Sequence, residues 1–220
     1  MRSVLGLDEA GRGSIIGPLV VGGFSIAAEE IPRLSELGVR DSKLLPGRRR
    51  EEIYSELGRL GECRTVRLGP SQIDAAVAKH GLNDLEIEAF AQLVRAVCPG
   101  ETRADACDPN VRRFARTLRA RSGHPAPVTA RHHMDRDDLV VGAASIVAKV
   151  ERDRAIAALA AEIGEPIGSG YPSDPHTMDF VRRWTASRGD RTIGWLRRSW
   201  APTKRLMRER STRRLEQFEG

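Results

Sequence analysis

The sequence predicts an α/β layered fold on three observations. Short apolar, glycine-punctuated runs alternate with segments of helical spacing. One stretch, Leu139 to Ile163, keeps helical spacing throughout. The last fifty residues read as a loop and helices appended to that body. Val4 to Leu7 and Ile15 to Ile26 read as neighbouring strands, with Asp8 to Gly13 as the turn between them. Glu29 to Leu37 and Pro46 to Leu60 have helical spacing, and Cys63 to Leu68 alternates like a third strand. Ser71 and Asn83 are N-cap candidates for helices through Ala78 and Val97. A short strand, Thr102 to Ala106, leads to the turn Asp108-Pro109-Asn110, a basic helix from Val111 to Arg121 and a strand from Pro127 to Arg131. In the long helix Val141, Ala144, Ala148, Ala155 and Leu159 share a face at about 100° per residue, and their small size implies close packing on a sheet. Gly164 to Pro175 is a Gly/Pro-rich loop, followed by helices near His176 to Arg188 and Lys204 to Phe218.

A chain of 220 residues can bury a sizeable core without staples. The cysteines Cys63, Cys98 and Cys107 are odd in number and widely spaced, which suggests neither a disulfide framework nor a CxxC metal site. No charged segment followed by an apolar stretch of signal-peptide length stands near Met1, so the chain is read as soluble, cytoplasmic and without a membrane partner. The formal charge is +6. Between Leu196 and Arg214, eight basic residues face the single acid Glu209, an excess that leaves the rest near neutral. Such a segment suits an electrostatic handle for a polyanion such as nucleic acid, or else a solvated helix face.

Gly11-Arg12-Gly13 lacks the GxGxxG spacing, the Gly-Lys-Ser/Thr ending and a following helix, which excludes the nucleotide-cofactor readings. What remains is an adjacent pair, Asp8-Glu9, beside glycines that let a backbone approach a ligand. Alone the pair reads as a solvated turn. Asp105 near the end of its strand and Asp135 ahead of the long helix are further acids at element ends, where sheet-based sites gather residues. If the four converge, each close pair costs about 4 kcal/mol at about 4 Å with an effective dielectric near 20. Protonation or divalent cations relieve that repulsion. All-oxygen ligation points to Mg2+ or Mn2+ rather than zinc, ions that serve phosphoryl transfer. His132, His133 and His176 have no zinc spacing and read as surface residues.

The segments Gly6-Leu7-Asp8-Glu9-Ala10-Gly11-Arg12-Gly13 with Gly17-Pro18-Leu19-Val20, Asp41-Ser42-Lys43-Leu44-Leu45, Ala104-Asp105, Ala143-Ala144-Ser145 through Asp153, Gly168-Ser169-Gly170-Tyr171-Pro172 and Arg197-Arg198-Ser199-Trp200 stand in this order. Together they resemble type 2 ribonuclease H, ribonuclease HII, in its archaeal-like form. Type 3 enzymes, with an extra N-terminal domain and a different glycine loop, fit less well. The resemblance implies a ribonuclease H-like mixed sheet flanked by helices, with a catalytic domain over 1–165 and a small helical appendage over 166–220 that contributes to substrate binding. It implies a monomer that hydrolyses the RNA strand of RNA/DNA hybrids and cuts 5' to ribonucleotides embedded in duplex DNA, by two-metal chemistry that leaves 3'-hydroxyl and 5'-phosphate ends. Asp8, Glu9, Asp105 and Asp135 fall on the catalytic, metal-binding carboxylates. Gly11, Arg12 and Gly13 fall on a loop whose backbone reads the ribose 2'-hydroxyl, the group that tells RNA from DNA. Tyr171 falls on a tyrosine that packs against the sugar, and Lys43, Lys149 and Arg152 on phosphate contacts. One segment departs from the pattern: a His-Lys-Ala-Asp-like motif is expected where His132-His133-Met134-Asp135 stands, with Asp137 and Asp138 close behind. Spacing to Ser145 favours Asp135 as the fourth acid. The rival readings are a catalytically inactive nucleic-acid-binding protein on the same scaffold and a divalent-metal phosphodiesterase acting on DNA.

Overall fold

The computed structural model describes residues 3–39, 46–188 and 194–216, with side chains through Arg208. Among the described residues one five-stranded sheet runs in the order β3-β2-β1-β4-β5, built from β1 (Ser3–Ala10), β2 (Leu19–Ala27), β3 (Glu62–Leu68), β4 (Glu101–Asp105) and β5 (Val128–Arg131). β1, β2 and β3 form an antiparallel meander, whereas β4 and β5 add parallel to β1. The sheet is mixed, as expected.

The long helix α7 (Leu139–Ile163) lies across β1 and β2 on one face. Its start is fixed by Asp138, whose Oδ1 accepts from the amides of Val140 at 2.9 Å and Val141 at 3.1 Å. Gly164, at φ 82°, stops it. Close approach is set by glycine: a Cβ on Gly6 of β1 would stand 2.2 Å from the Val140 carbonyl oxygen, and one on Gly22 of β2 would stand 2.6 Å from that of Ala144. Val140 through Ala148 are buried on every side, so the single small-residue face expected for α7 is corrected to an all-round buried first half. The other face of the sheet carries α4 (Leu82–Val97) and α5 (Val111–Ser122), packed through Leu5, Leu7, Phe90 and Phe114.

A third apolar cluster joins Ile15 and Ile16 to Ile156, Ile167, Phe180 and Val181, the last two on α8 (Pro175–Arg188), and to Leu196 and Leu206, the latter on α9 (Ala201–Glu216). Among the described residues no helix is long and apolar enough to cross a membrane. Two local expectations are corrected. Asp8 and Glu9 are not in a turn: β1 continues to Ala10 because Asp8 pairs with Gly22 and Glu9 with Val21. Ser71 and Asn83 do not cap helices; α3 (Pro70–Ala78) and α4 begin after Gly69 and Gly81, and Asn83 turns its side chain to the candidate site.

Candidate active site

Alternation along β1 sends Asp8 and Glu9 to opposite faces of the sheet. Asp8 faces α7, where it hydrogen-bonds Ser145, while its Oδ1 also accepts from the Glu9 amide at 2.8 Å. Leu7 pairs with Ala104, so Asp105 emerges from β4 beside Asp8. The third acid, Asp135, comes from the one-turn helix α6 (Met134–Asp137), between β5 and α7. Carboxylate oxygens of Asp8, Asp105 and Asp135 lie within 4.8 Å of one another. Glu9 is not among the carboxylates that meet there. It stands on the α4 side, in a cleft lined by Arg12, Asn83, Asp105, Cys107 and His133.

Burial with mutual repulsion biases Asp8, Glu9 and Asp105 toward the protonated form. Asp8 is pushed up to about 7, first by burial and then by Asp105 and Asp135, against the lowering hydrogen bond from Ser145. Glu9 is raised by burial and by the charges of Asp8 and Glu86. Asp105 is raised by burial and by Asp135, offset by the His133 amide that donates to its Oδ1 at 2.9 Å. Three crowded, all-oxygen donors are a fitting seat for a hard divalent cation. Neighbouring acids do other work. Asp138 caps α7 and accepts from Arg103 at 3.1 Å, and Asp137 is exposed.

The Gly-Arg-Gly turn adjoins this cluster. Gly11, at φ 83°, donates its amide to the Tyr171 hydroxyl at 3.1 Å. The Arg12 side chain turns away and binds Glu86 at 3.0 and 3.1 Å and Asn83 at 2.6 Å. Gly13 is exposed, with open space where a side chain would sit. The guanidinium of Arg152 stacks 4.4 Å from the centre of the Tyr171 ring.

Lys43 lies outside the described residues. Lys149 donates to Ser145 Oγ at 2.9 Å, which links its charge to Asp8 through one hydroxyl. Arg152, another of the expected phosphate contacts, has a side chain only 5% exposed, which donates to Ser14 Oγ at 3.1 Å and to the Ser169 carbonyl. Arg197, counted above in the basic handle, is fully buried. Sequence reasoning also missed Glu86. Its signal was a carboxylate on the buried stripe of α4, in helical step with Phe90 and Leu93.

The mixed sheet with an acidic cluster at its adjoining strand ends defines a ribonuclease H, a hydrolase of phosphodiester bonds. The chain belongs to the ribonuclease HII family, whose model, described as Ribonuclease HII, matches residues 5–203. It is 40% identical to the Ribonuclease HII of Methanothrix thermoacetophila, over 94% of this chain and 98% of that one. The crystal structure of ribonuclease H2 from Pyrococcus horikoshii superposes with a TM-score of 0.88 at 37% identity, covering 95% of this chain and 99% of that chain. The Archaeoglobus fulgidus ribonuclease HII, solved in complex with PCNA, superposes with a TM-score of 0.83 at 36% identity, covering 92% and 96%.

Proposed function

We propose that this chain is an endoribonuclease that hydrolyses the RNA strand of RNA/DNA hybrids and cuts 5' to single ribonucleotides in duplex DNA. One observation carries the reading: Asp8, Asp105 and Asp135 meet within 4.8 Å beside a turn whose amide is held by Tyr171. The three aspartates would hold Mg2+ or Mn2+, with Glu9 at the margin. Such a cation supplies Lewis-acid charge at the scissile phosphate and lowers the pKa of water. The protein's own part is positioning. Gly11, Arg12 and Gly13 present backbone to the ribose, and the Tyr171 ring, backed by Arg152, packs against the sugar at the junction. With its oxygen already accepting from Gly11, the Tyr171 hydroxyl keeps a proton to donate to a 2'-oxygen. Lys149 would offer a cation to a phosphate near the metal site, seated one hydroxyl from Asp8. Residues 1–165 would then carry the chemistry and 166–220 would supply Tyr171 and part of the substrate surface.

The test is strand-specific cleavage of an RNA/DNA hybrid with Mg2+, with Mn2+ and with chelator. Cutting of the RNA strand that chelator abolishes supports the reading. Binding without cutting in either metal would favour the inactive-scaffold alternative, against which the meeting of the three aspartates already argues.

A further inference from the structure

Arg197 is a charged side chain buried in full. It is 0% exposed, it is among the largest fully buried side chains, and burial together with the nearby Arg152 charge pulls it down to about 10. A guanidinium placed this way must be retained by what it binds. Its Nη1 donates to the Arg12 carbonyl at 2.9 Å and its Nε to the Gly17 carbonyl at 3.1 Å, while its plane faces the Trp200 ring at 5.2 Å. The adjoining backbone holds the same turn: the Arg197 amide donates to the Ile15 carbonyl at 2.9 Å, and the Gly17 amide to the Trp195 carbonyl at 2.8 Å.

The bond to the Arg12 carbonyl has a directional consequence. In a planar trans peptide the carbonyl and the following N–H point in opposite directions. The N–H that follows the Arg12 carbonyl is that of Gly13. Drawing the carbonyl inward to a buried cation therefore turns the Gly13 N–H outward, at an exposed residue. A charged donor on the carbonyl also polarises that peptide and strengthens its N–H as a donor.

We propose that Arg197 is a positioning residue for ribose recognition: from inside the C-terminal segment it aims and polarises the Gly13 N–H toward the 2'-oxygen of the substrate. The proposal rests on the reading that the Gly-Arg-Gly backbone meets ribose. It also assigns Arg197 a role different from that of the exposed basic residues of the same segment. They would act on every phosphate alike, whereas Arg197 acts only where a 2'-hydroxyl is present.

The experiment compares binding of a duplex containing one ribonucleotide with that of the same all-DNA duplex, in Ca2+, for the unmodified chain and for Arg197→Lys. Lysine keeps the charge and the apolar stem but cannot reach two carbonyls with a rigid fork. Expected is a fall of about tenfold in the ribonucleotide preference, the equivalent of losing one charge-assisted hydrogen bond, with all-DNA affinity and the salt slope unchanged. Equal weakening on both duplexes, or an unchanged preference, would overturn the proposal. Amide exchange in the unmodified chain gives a check that does not depend on the variant folding. Gly13 should become protected by the ribonucleotide-containing duplex and not by the all-DNA one, and equal protection would again overturn it. If the unmodified chain shows no preference between the duplexes, it is the ribose-reading function that fails, a distinct outcome.

Discussion

The amide of Gly11 donates to the hydroxyl of Tyr171 at 3.1 Å, across 160 residues of chain. That bond ties the glycine turn after β1 to the Gly168-Ser169-Gly170 loop, and further bonds reinforce it. Ser14 Oγ reaches the Gly170 carbonyl at 2.7 Å, and the Ile15 amide reaches the same oxygen at 2.8 Å. Gly170 has φ 82°, and a Cβ there would stand 2.8 Å from Arg152 Nη2, so the position is closed to other residues.

Tyr171→Phe is expected to keep the fold and the ring stacking on Arg152 while losing the hydroxyl. Cleavage at a single ribonucleotide should fall about tenfold, the scale of one hydrogen bond at the reacting sugar. Tyr171→Ala should fall further, since the ring is lost as well. Steady-state rates on the single-ribonucleotide duplex decide this, and equal rates for Phe and unmodified protein would remove the hydroxyl from the account.

The fourth acid is tested by single replacements. Asp135→Asn should lower the rate by about a thousandfold, the effect of several kcal/mol of lost charge stabilisation. Asp137→Asn should leave it near normal, because that residue is exposed. Asp138→Asn should chiefly affect stability, since its carboxylate caps α7 and pairs with Arg103. Abolished activity in Asp137→Asn with full activity in Asp135→Asn would reverse the assignment.

The pH dependence follows from Asp8, which is raised from its ordinary 3.8 to about 7. The folded metal-free protein therefore binds more protons than the unfolded chain between about pH 4 and pH 7, and its stability falls as pH rises through that window. Glu9 and Asp105, both raised, act in the same direction. Thermal melts in chelator should give a lower Tm at pH 8 than at pH 5.5. Divalent cation should restore stability most at the higher pH, where it no longer competes with protons. Asp8→Asn should weaken this pH dependence, leaving the part due to Glu9 and Asp105, and raise metal-free stability by about 2 kcal/mol at pH 8, a part of the cost of ionising a buried acid. A flat melting profile for the unmodified chain would contradict the burial of ionised Asp8.

The basic C-terminal segment divides by burial. Arg197 is interior, whereas Lys204, Arg205 and Arg208 are exposed on α9. Replacing these three with glutamine should leave Tm unchanged and reduce the slope of log affinity against log salt by about two to three. Truncation after Gly194, by contrast, removes Leu196 and Leu206 from the third cluster, and the buried Arg197 with them, and is expected to destabilise the protein. An unchanged salt slope in the triple variant would dismiss α9 as a handle.

How legible the site was in the sequence depends on how local its causes are. The limits of α7 were readable because Asp138 caps one end and Gly164 stops the other, both local signals. The end of β1 was not. Its apolar run stops at Leu7, and Asp8 and Glu9 stay in the strand only because β2, ten residues on, supplies their pairing. The resemblance supplied the identity of the acids, but their geometry required register. Strand alternation places Asp8 with Asp105 and Asp135 and leaves Glu9 on the other face. The resemblance put Arg152 among the phosphate contacts and the charge count put Arg197 in the basic handle, and neither signal carries burial, although arginine is usually a surface residue. Their burial is set by loops that meet only in the folded chain.

The most direct measurement is cleavage of a DNA duplex carrying one ribonucleotide, with product ends mapped in Mg2+ and in chelator. The expected result is a metal-dependent cut 5' to the ribonucleotide, absent from the all-DNA duplex and lost in Asp8→Asn, Asp105→Asn and Asp135→Asn. Cutting of the all-DNA duplex at a comparable rate, or cutting that persists in those variants, would contradict it.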